Sequence, residues 1–281
     1  MTLMMTNQKE NKVDLAHLLS MRAAKQPIAM LTCYDFPTAR ILAECRVPIL
    51  LVGDSAAMAV LGEDSTLPTT MDYMVTITRA VRRGAPDAYL MADMPYGSYP
   101  DEAIVLKNAS RFVRESGADV VKLECDASHA KIVQTLTKAG VAVCAHVGLL
   151  PQRAAEQGGA GAYKAQGRTT ADAQRIIQDA LALRKAGAAM VLLEAVPDQV
   201  SAAVREQADC LILGCGAGPS CDGHVIVLTD LLGFNSKPAR FVEVMGNVPA
   251  AIRAGVEAYM TAVATRQYPA AKHQYQMKLP G

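Results

Sequence analysis

The stretch Gly117-Ala-Asp-Val-Val-Lys-Leu-Glu124 returns further along the chain as Gly187-Ala-Ala-Met-Val-Leu-Leu-Glu194. Each copy is a glycine, a run of strand length and then a glutamate. Aliphatic runs of this kind read as parallel strands buried on both faces, and the spacing of the copies suits two βα units. Three more runs end alike: Ile49–Gly53 on Asp54, Tyr89–Ala92 on Asp93 and Val141–Ala145 on His146. A carboxylate ending a buried strand must be paired, hydrogen-bonded or bound to a cation, because desolvating it alone is costly. Five strands ending this way put their ionisable residues on one rim of a barrel, the rim where active sites of such barrels lie.

Outward from these runs the chain keeps the same alternation. Ile28–Thr32 and Leu211–Cys215 also read as strands, with a weak eighth near Val225–Leu228. Between the strands, Pro37–Glu44, Met71–Arg83, Glu102–Ser116, His129–Ala139, Thr170–Ala186 and Pro197–Gln207 read as helices. The pattern predicts an α/β fold, a (β/α)8 TIM-type barrel. The expected organisation is a flexible tail over 1–14, one barrel domain over 15–270 and a C-terminal tail over 271–281. Pro249–Arg266 reads as an amphipathic helix with Ile252, Val256, Tyr259, Met260 and Val263 on one face. Two connections, Ser55–Thr70 and Gly148–Arg168, are longer than a barrel needs and leave from the ionisable rim, as active-site covers do. Insertion without function is the alternative, and the place where the loops start favours the cover.

Composition excludes several classes. A net charge of +1 over 281 residues offers no field for nucleic acid or an anionic membrane. No apolar stretch is long enough to span a bilayer, and Met1–Lys12 lacks the apolar core of a signal peptide. The seven cysteines form no C-x-x-C pair, and several lie inside apolar runs. Reduced buried thiols and a cytoplasmic protein are expected.

Asp54, Asp93 and Glu124 end three consecutive strands. Three carboxylates brought together repel, so one or two protonate unless a cation sits among them. Oxygen-only ligands favour Mg²⁺. Taken singly, each carboxylate can equally cap a helix or pair with an arginine. Lys122 shares a strand face with Glu124; it can bind an anionic substrate, form a Schiff base or neutralise Glu124. Glu194 ends an apolar run, and desolvation moves a carboxylate toward the range of a general base. His146, between Glu124 and Glu194, reads as a substrate contact or as a satisfied core histidine. The glycine-rich run Gly214–Gly223 suits a phosphate cradle or a tight turn. A metal held by carboxylates, a lysine for an anion and a base together suit proton abstraction beside a carbonyl, with a 2-oxo acid as substrate.

At these residues the chain resembles the ketopantoate hydroxymethyltransferase family. The resemblance runs from about Ile28 to Pro269, on Thr32-Cys-Tyr-Asp35, Val52-Gly-Asp-Ser55, Asp64-Ser-Thr-Leu-Pro68, Val81-Arg-Arg-Gly-Ala-Pro86, Ala92-Asp-Met-Pro95, Val121-Lys-Leu-Glu124, His146-Val-Gly-Leu149, Pro151-Gln152, Tyr163-Lys-Ala-Gln-Gly-Arg168 and Leu193-Glu194. It implies transfer of a hydroxymethyl group from 5,10-methylenetetrahydrofolate to 3-methyl-2-oxobutanoate through a Mg²⁺-stabilised enolate, giving 2-dehydropantoate for pantothenate and coenzyme A. By resemblance, Asp54, Asp93 and Glu124 surround the metal. Asp54, Ser55 and Asp93 lie at the 2-oxo acid, Lys122 takes its carboxylate, His146 lines the pocket and Glu194 accepts the proton. The resemblance also implies a homo-oligomer, a decamer. Cys125 and Ala145 stand where the family keeps glycine, and His224 where glutamine is usual, so substrate shape or folate affinity can differ.

Two other functions fit the same rim. One is a Mg²⁺-dependent 2-oxo acid lyase or mutase of the phosphoenolpyruvate mutase and isocitrate lyase type, which shares the barrel. The lyase run Lys-Lys-Cys-Gly-His and the mutase run Glu-Asp-Lys are both absent from the sequence. The other is a non-catalytic barrel scaffold, against which the full charged set argues.

Overall fold

The computed structural model describes residues 12–153, 156 and 163–277. In chain order the elements are α1 (Leu15–Ala23), β1 (Ile28–Thr32), α2 (Phe36–Glu44), β2 (Ile49–Val52), α3 (Ala56–Ala59), α4 (Met71–Gly84), β3 (Tyr89–Asp93), α5 (Glu102–Arg111), β4 (Val120–Glu124), α6 (Ala130–Lys138), β5 (Val143–Gly148), α7 (Thr170–Lys185), β6 (Met190–Glu194), α8 (Asp198–Gln207), β7 (Leu211–Cys215), β8 (Gly223–Ile226), α9 (Leu228–Leu231) and α10 (Val248–Ala264). Short polar side chains start the helices where the βα turns demand it. Asp35, Thr70, Asp101 and Thr169 each accept a backbone N–H of the first turn.

All eight strands are parallel, and β1 closes the barrel against β8. Period-two alternation sends Ile49, Leu51, Tyr89, Met91, Val120, Cys144, Met190, Leu192, Leu211 and Leu213 into one interior cluster. Lys122 and Glu124 are in phase with Val120, and His146 with Cys144, so they share the inward face one and two steps nearer the C-terminal rim. Glu124 pairs with His146, which pairs with Leu192. With the shear of about eight usual in such barrels, a level advances by about one residue per strand. Glu124 therefore shares its level with Glu194, as their sequence echo predicts.

Several segments differ from the sequence reading, among them β8, which runs over Gly223–Ile226 rather than Val225–Leu228. α1 was not anticipated. Its Leu18 and Met21 join the interior cluster, but they are two anchors in a short, weakly patterned segment. The expected helix Glu102–Ser116 changes pitch at Phe112 into a π turn that stops at left-handed Gly117. β5 runs two residues beyond His146, because Gly148 pairs with Glu194. At φ +99° and with Glu194 O 2.5 Å from where a Cβ would stand, only glycine fits there.

Contacts divide the chain into two compact units, Met1–Val227 and Leu228–Gly281. The second contains α9 and α10. The apolar face expected on α10 is present and exposed at Ile252, Val256, Tyr259, Met260 and Val263.

Candidate active site

Asp93, Lys122, Glu124, His146 and Glu194 point into the barrel at the ends of β3 to β6, and Asp54 and Ser55 follow β2. Gly53 makes the close approach possible: a Cβ there would lie 2.8 Å from Ser55 Oγ and 3.4 Å from Asp93 Oδ2. Asp93 accepts the Asp54 N–H at 3.0 Å and pairs with Lys122 Nζ at 2.7 Å. Lys122 Nζ is 3.3 Å from His146 Nδ1, and His146 Nε2 is 3.2 Å from Glu194 Oε2. An ammonium only donates, so its partner Nδ1 is assigned as the acceptor and the ring proton falls on Nε2, which lies near Glu194 but makes no hydrogen bond. Ser55 and Tyr34 share a hydroxyl–hydroxyl hydrogen bond of 2.9 Å. The sequence-predicted residues thus come together as one connected set.

Burial sets the electrostatics. Desolvation, and then repulsion from Asp93, pushes Asp54 up to about 7. Desolvation and Asp54 raise Glu124 well above the usual carboxylate range. Burial alone would lower Lys122, but Asp93, Asp54 and Glu124 more than offset it and hold it charged. A lysine so held is a poor nucleophile, so the Schiff-base reading loses its footing. Burial and the Lys122 charge lower His146, keeping it neutral. Glu194 is less enclosed than expected, with its side chain 19% exposed.

Asp54 carries this environment into stability. Its folded pKa of about 7 lies above the ordinary 3.8. Its contribution is therefore complete below the ordinary value and is lost as pH rises through the folded one. Urea unfolding in chelator should show stability falling between about pH 4 and about pH 7, and Asp54→Asn should flatten that fall. An unchanged slope in the variant refutes the assignment.

Some expectations did not become part of the site. The Gly214–Gly223 run is tied down by Asp198, which accepts the Ser220 N–H at 2.8 Å and its hydroxyl at 2.9 Å. It forms a turn braced on Asp198. Cys125 turns its thiol onto Leu123 O, Ala145 lies on the outward face of β5, and His224 is exposed, so none of the three departures crowds the carboxylates. Ser55–Thr70 folds back onto the site, with Thr69 donating to Asp54 O. Much of the second long loop, at 154, 155 and 157–162, lies outside the described residues. The sequence reading missed Tyr34, Tyr99 and Gln152 as members of the site. Tyr34 and Gln152 stand in stretches already singled out, but nothing local showed what they touch.

The fold is that of the phosphoenolpyruvate mutase/isocitrate lyase class of barrels. Among solved structures the chain is similar to 2,3-dimethylmalate lyase, with a TM-score of 0.59 and 16% identity over 90% of this chain and 88% of that one. It is also similar to a phosphonopyruvate hydrolase in complex with oxalate and Mg²⁺, with a TM-score of 0.57 and 13% identity over 94% and 92%. At sequence level the chain belongs to the ketopantoate hydroxymethyltransferase family, whose profile matches residues 12–271. It is 42% identical to the 3-methyl-2-oxobutanoate hydroxymethyltransferase of Geobacillus sp. (strain WCH70) over 262 residues, 92% of each chain. It is 40% identical to the enzyme of that name from Koribacter versatilis (strain Ellin345) over 276 residues, 97% of this chain and 92% of the relative. The lyase and mutase likeness is one of fold alone, and the scaffold reading gives way to an enzyme family.

Proposed function

We propose that this chain transfers a hydroxymethyl group from 5,10-methylenetetrahydrofolate to C3 of 3-methyl-2-oxobutanoate, giving 2-dehydropantoate for pantothenate and coenzyme A synthesis. The observation that carries this reading is the run Asp93–Lys122–His146 on one barrel rim, with Glu194 Oε2 standing 3.2 Å beyond the imidazole. It places a fixed positive charge and a carboxylate base on the two sides of one neutral imidazole.

The donor set fits Mg²⁺. Asp54, Asp93 and Glu124 offer oxygen only, and Glu124 Oε1 is buried without a hydrogen-bond partner. Among the described residues no three His, Cys, Asp or Glu side chains converge as a ready-made metal site. When bound, the ion would supply positive charge to the keto oxygen of the 2-oxo acid. Lys122 holds the substrate carboxylate, and Tyr34 orients the Ser55 hydroxyl toward the same molecule. Glu194 accepts the C3 proton. The electron pair left at C3 forms the new bond to the one-carbon unit, one water supplies the hydroxyl oxygen, and tetrahydrofolate leaves.

Free thiols at all seven cysteines support a cytoplasmic setting. No helix among the described residues is long and apolar enough to cross a membrane. The exposed apolar face of α10 supports assembly with further copies of the chain, for which the family resemblance suggests a decamer.

The deciding experiment is consumption of 3-methyl-2-oxobutanoate by the purified chain. It should require both a divalent cation and the folate donor. Full activity in excess chelator would overturn the metal reading. Turnover of the 2-oxo acid without a one-carbon donor would overturn the transfer.

A further inference from the structure

Pro151-Gln152 has no role in the reaction as described, yet Gln152 is buried in the middle of the site with its backbone N–H and both ends of its side-chain amide hydrogen-bonded. Its backbone N–H donates to Glu124 Oε2 at 2.9 Å. Its side-chain amide donates to Asp54 Oδ2 at 2.7 Å and to Met94 O at 3.0 Å. Its side-chain oxygen accepts the Tyr99 hydroxyl at 2.5 Å, and that hydroxyl also lies 3.3 Å from Glu124 O. The orientation of the amide follows from chemistry. A carboxylate and a carbonyl both accept, so the nitrogen must face them and the oxygen must face Tyr99.

One residue therefore reaches two carboxylates from strands that are not neighbours. Asp54 follows β2 and Glu124 ends β4, with Asp93 on β3 between them. Asp54 and Glu124 repel each other, and left alone they would rotate apart or protonate. Gln152 takes one oxygen of each and leaves Glu124 Oε1 buried without a hydrogen-bond partner. A glutamine does this without adding charge. A lysine or arginine here would compete with a cation, and another carboxylate would add repulsion.

We infer that Gln152, braced by Tyr99, is a positioning residue that presents Asp54 and Glu124 to the divalent cation. The inference rests on the metal reading above. Outer partners of this kind typically change metal affinity 10–100-fold when removed. A residue that only anchors the loop would alter melting of the metal-free chain and leave cation affinity alone.

The test measures Mn²⁺ binding to the full chain by loss of the free-ion electron paramagnetic resonance signal, without substrate. Gln152→Ala should weaken binding by roughly 10–100-fold, with the melting temperature in chelator little changed. Tyr99→Phe, which keeps the ring packing, should weaken it by a smaller factor. The double variant should bind as Gln152→Ala does, because Tyr99 acts through Gln152. Asp93→Asn serves as the control for the site itself. If Asp93→Asn loses Mn²⁺ while Gln152→Ala binds within about twofold of wild type, against the loss expected of an outer partner, the inference fails and the metal reading stands. Additive losses in the double variant overturn the Tyr99 brace. If the wild type binds no Mn²⁺, or Asp93→Asn binds as wild type does, both the metal reading and the inference fall.

Discussion

Glu194→Gln is expected to lower turnover by roughly 10²–10⁴-fold while leaving binding of the 2-oxo acid largely intact. The side chain ends β6 at the level of Glu124, and its Oε2 lies 3.2 Å from His146 Nε2. With Nδ1 facing Lys122, the imidazole has one donor left, on Nε2, which stands near Glu194 without making a hydrogen bond to it. Partial exposure lets a substrate approach Glu194. Glutamine keeps size and polarity but cannot take a proton. The decisive measurement is exchange of the C3 hydrogen of 3-methyl-2-oxobutanoate with deuterated water in the absence of folate, under conditions where the wild type exchanges. Equal exchange by Glu194→Gln would show that another group is the base, and His146 would be the first candidate.

Lys122→Met should produce the largest loss of stability of any single change in the site, about 3–5 kcal/mol in the metal-free chain near neutral pH. Lys122 is buried, 2.7 Å from Asp93, and its charge also faces Asp54 and Glu124. Methionine matches its length but leaves three buried carboxylates with no cation among them. Protonation relieves that repulsion, so the loss should shrink toward about pH 5. Added Mg²⁺ should restore part of it by replacing the missing charge. Denaturant unfolding with and without Mg²⁺ reads both effects. A variant as stable as wild type at about pH 8 in chelator would mean that the carboxylates are already neutral there, and that Lys122 does not hold the site together. The variant should also fail to bind substrate even when Mg²⁺ has restored its fold, because the anchor for the substrate carboxylate is gone.

The residues that tie Gly117–Glu124 to Gly187–Glu194 show why so much of this site was readable in one dimension. A parallel strand buried on both faces must be apolar, so the first ionisable residue after such a run marks where it meets the rim. Period two then places Lys122 with Glu124, and barrel layering places Glu124 with Glu194. Those rules are local or follow from a regular lattice. β5 was read two residues too early, as Val141–His146 against Val143–Gly148, because its last pairing depends on Gly148 meeting the backbone of another strand, which no local pattern encodes. α1 escaped for a related reason: Leu18 and Met21 matter because the barrel interior lies beneath them.

The sequence by itself determined the strand count, the rim and the identity of the charged set, because burial and pleat periodicity act on neighbouring residues in the chain. Only the tertiary structure decided who touches whom across that rim. It set the His146 ring between Lys122 and Glu194, left Glu194 partly open and put Tyr34 on Ser55. It also brought Gln152, from the loop after β5, between two carboxylates of β2 and β4. Those are contacts between side chains of distant strands and loops. Their partners are chosen by barrel closure and by the need to satisfy every buried polar group, conditions that exist only once the chain has folded.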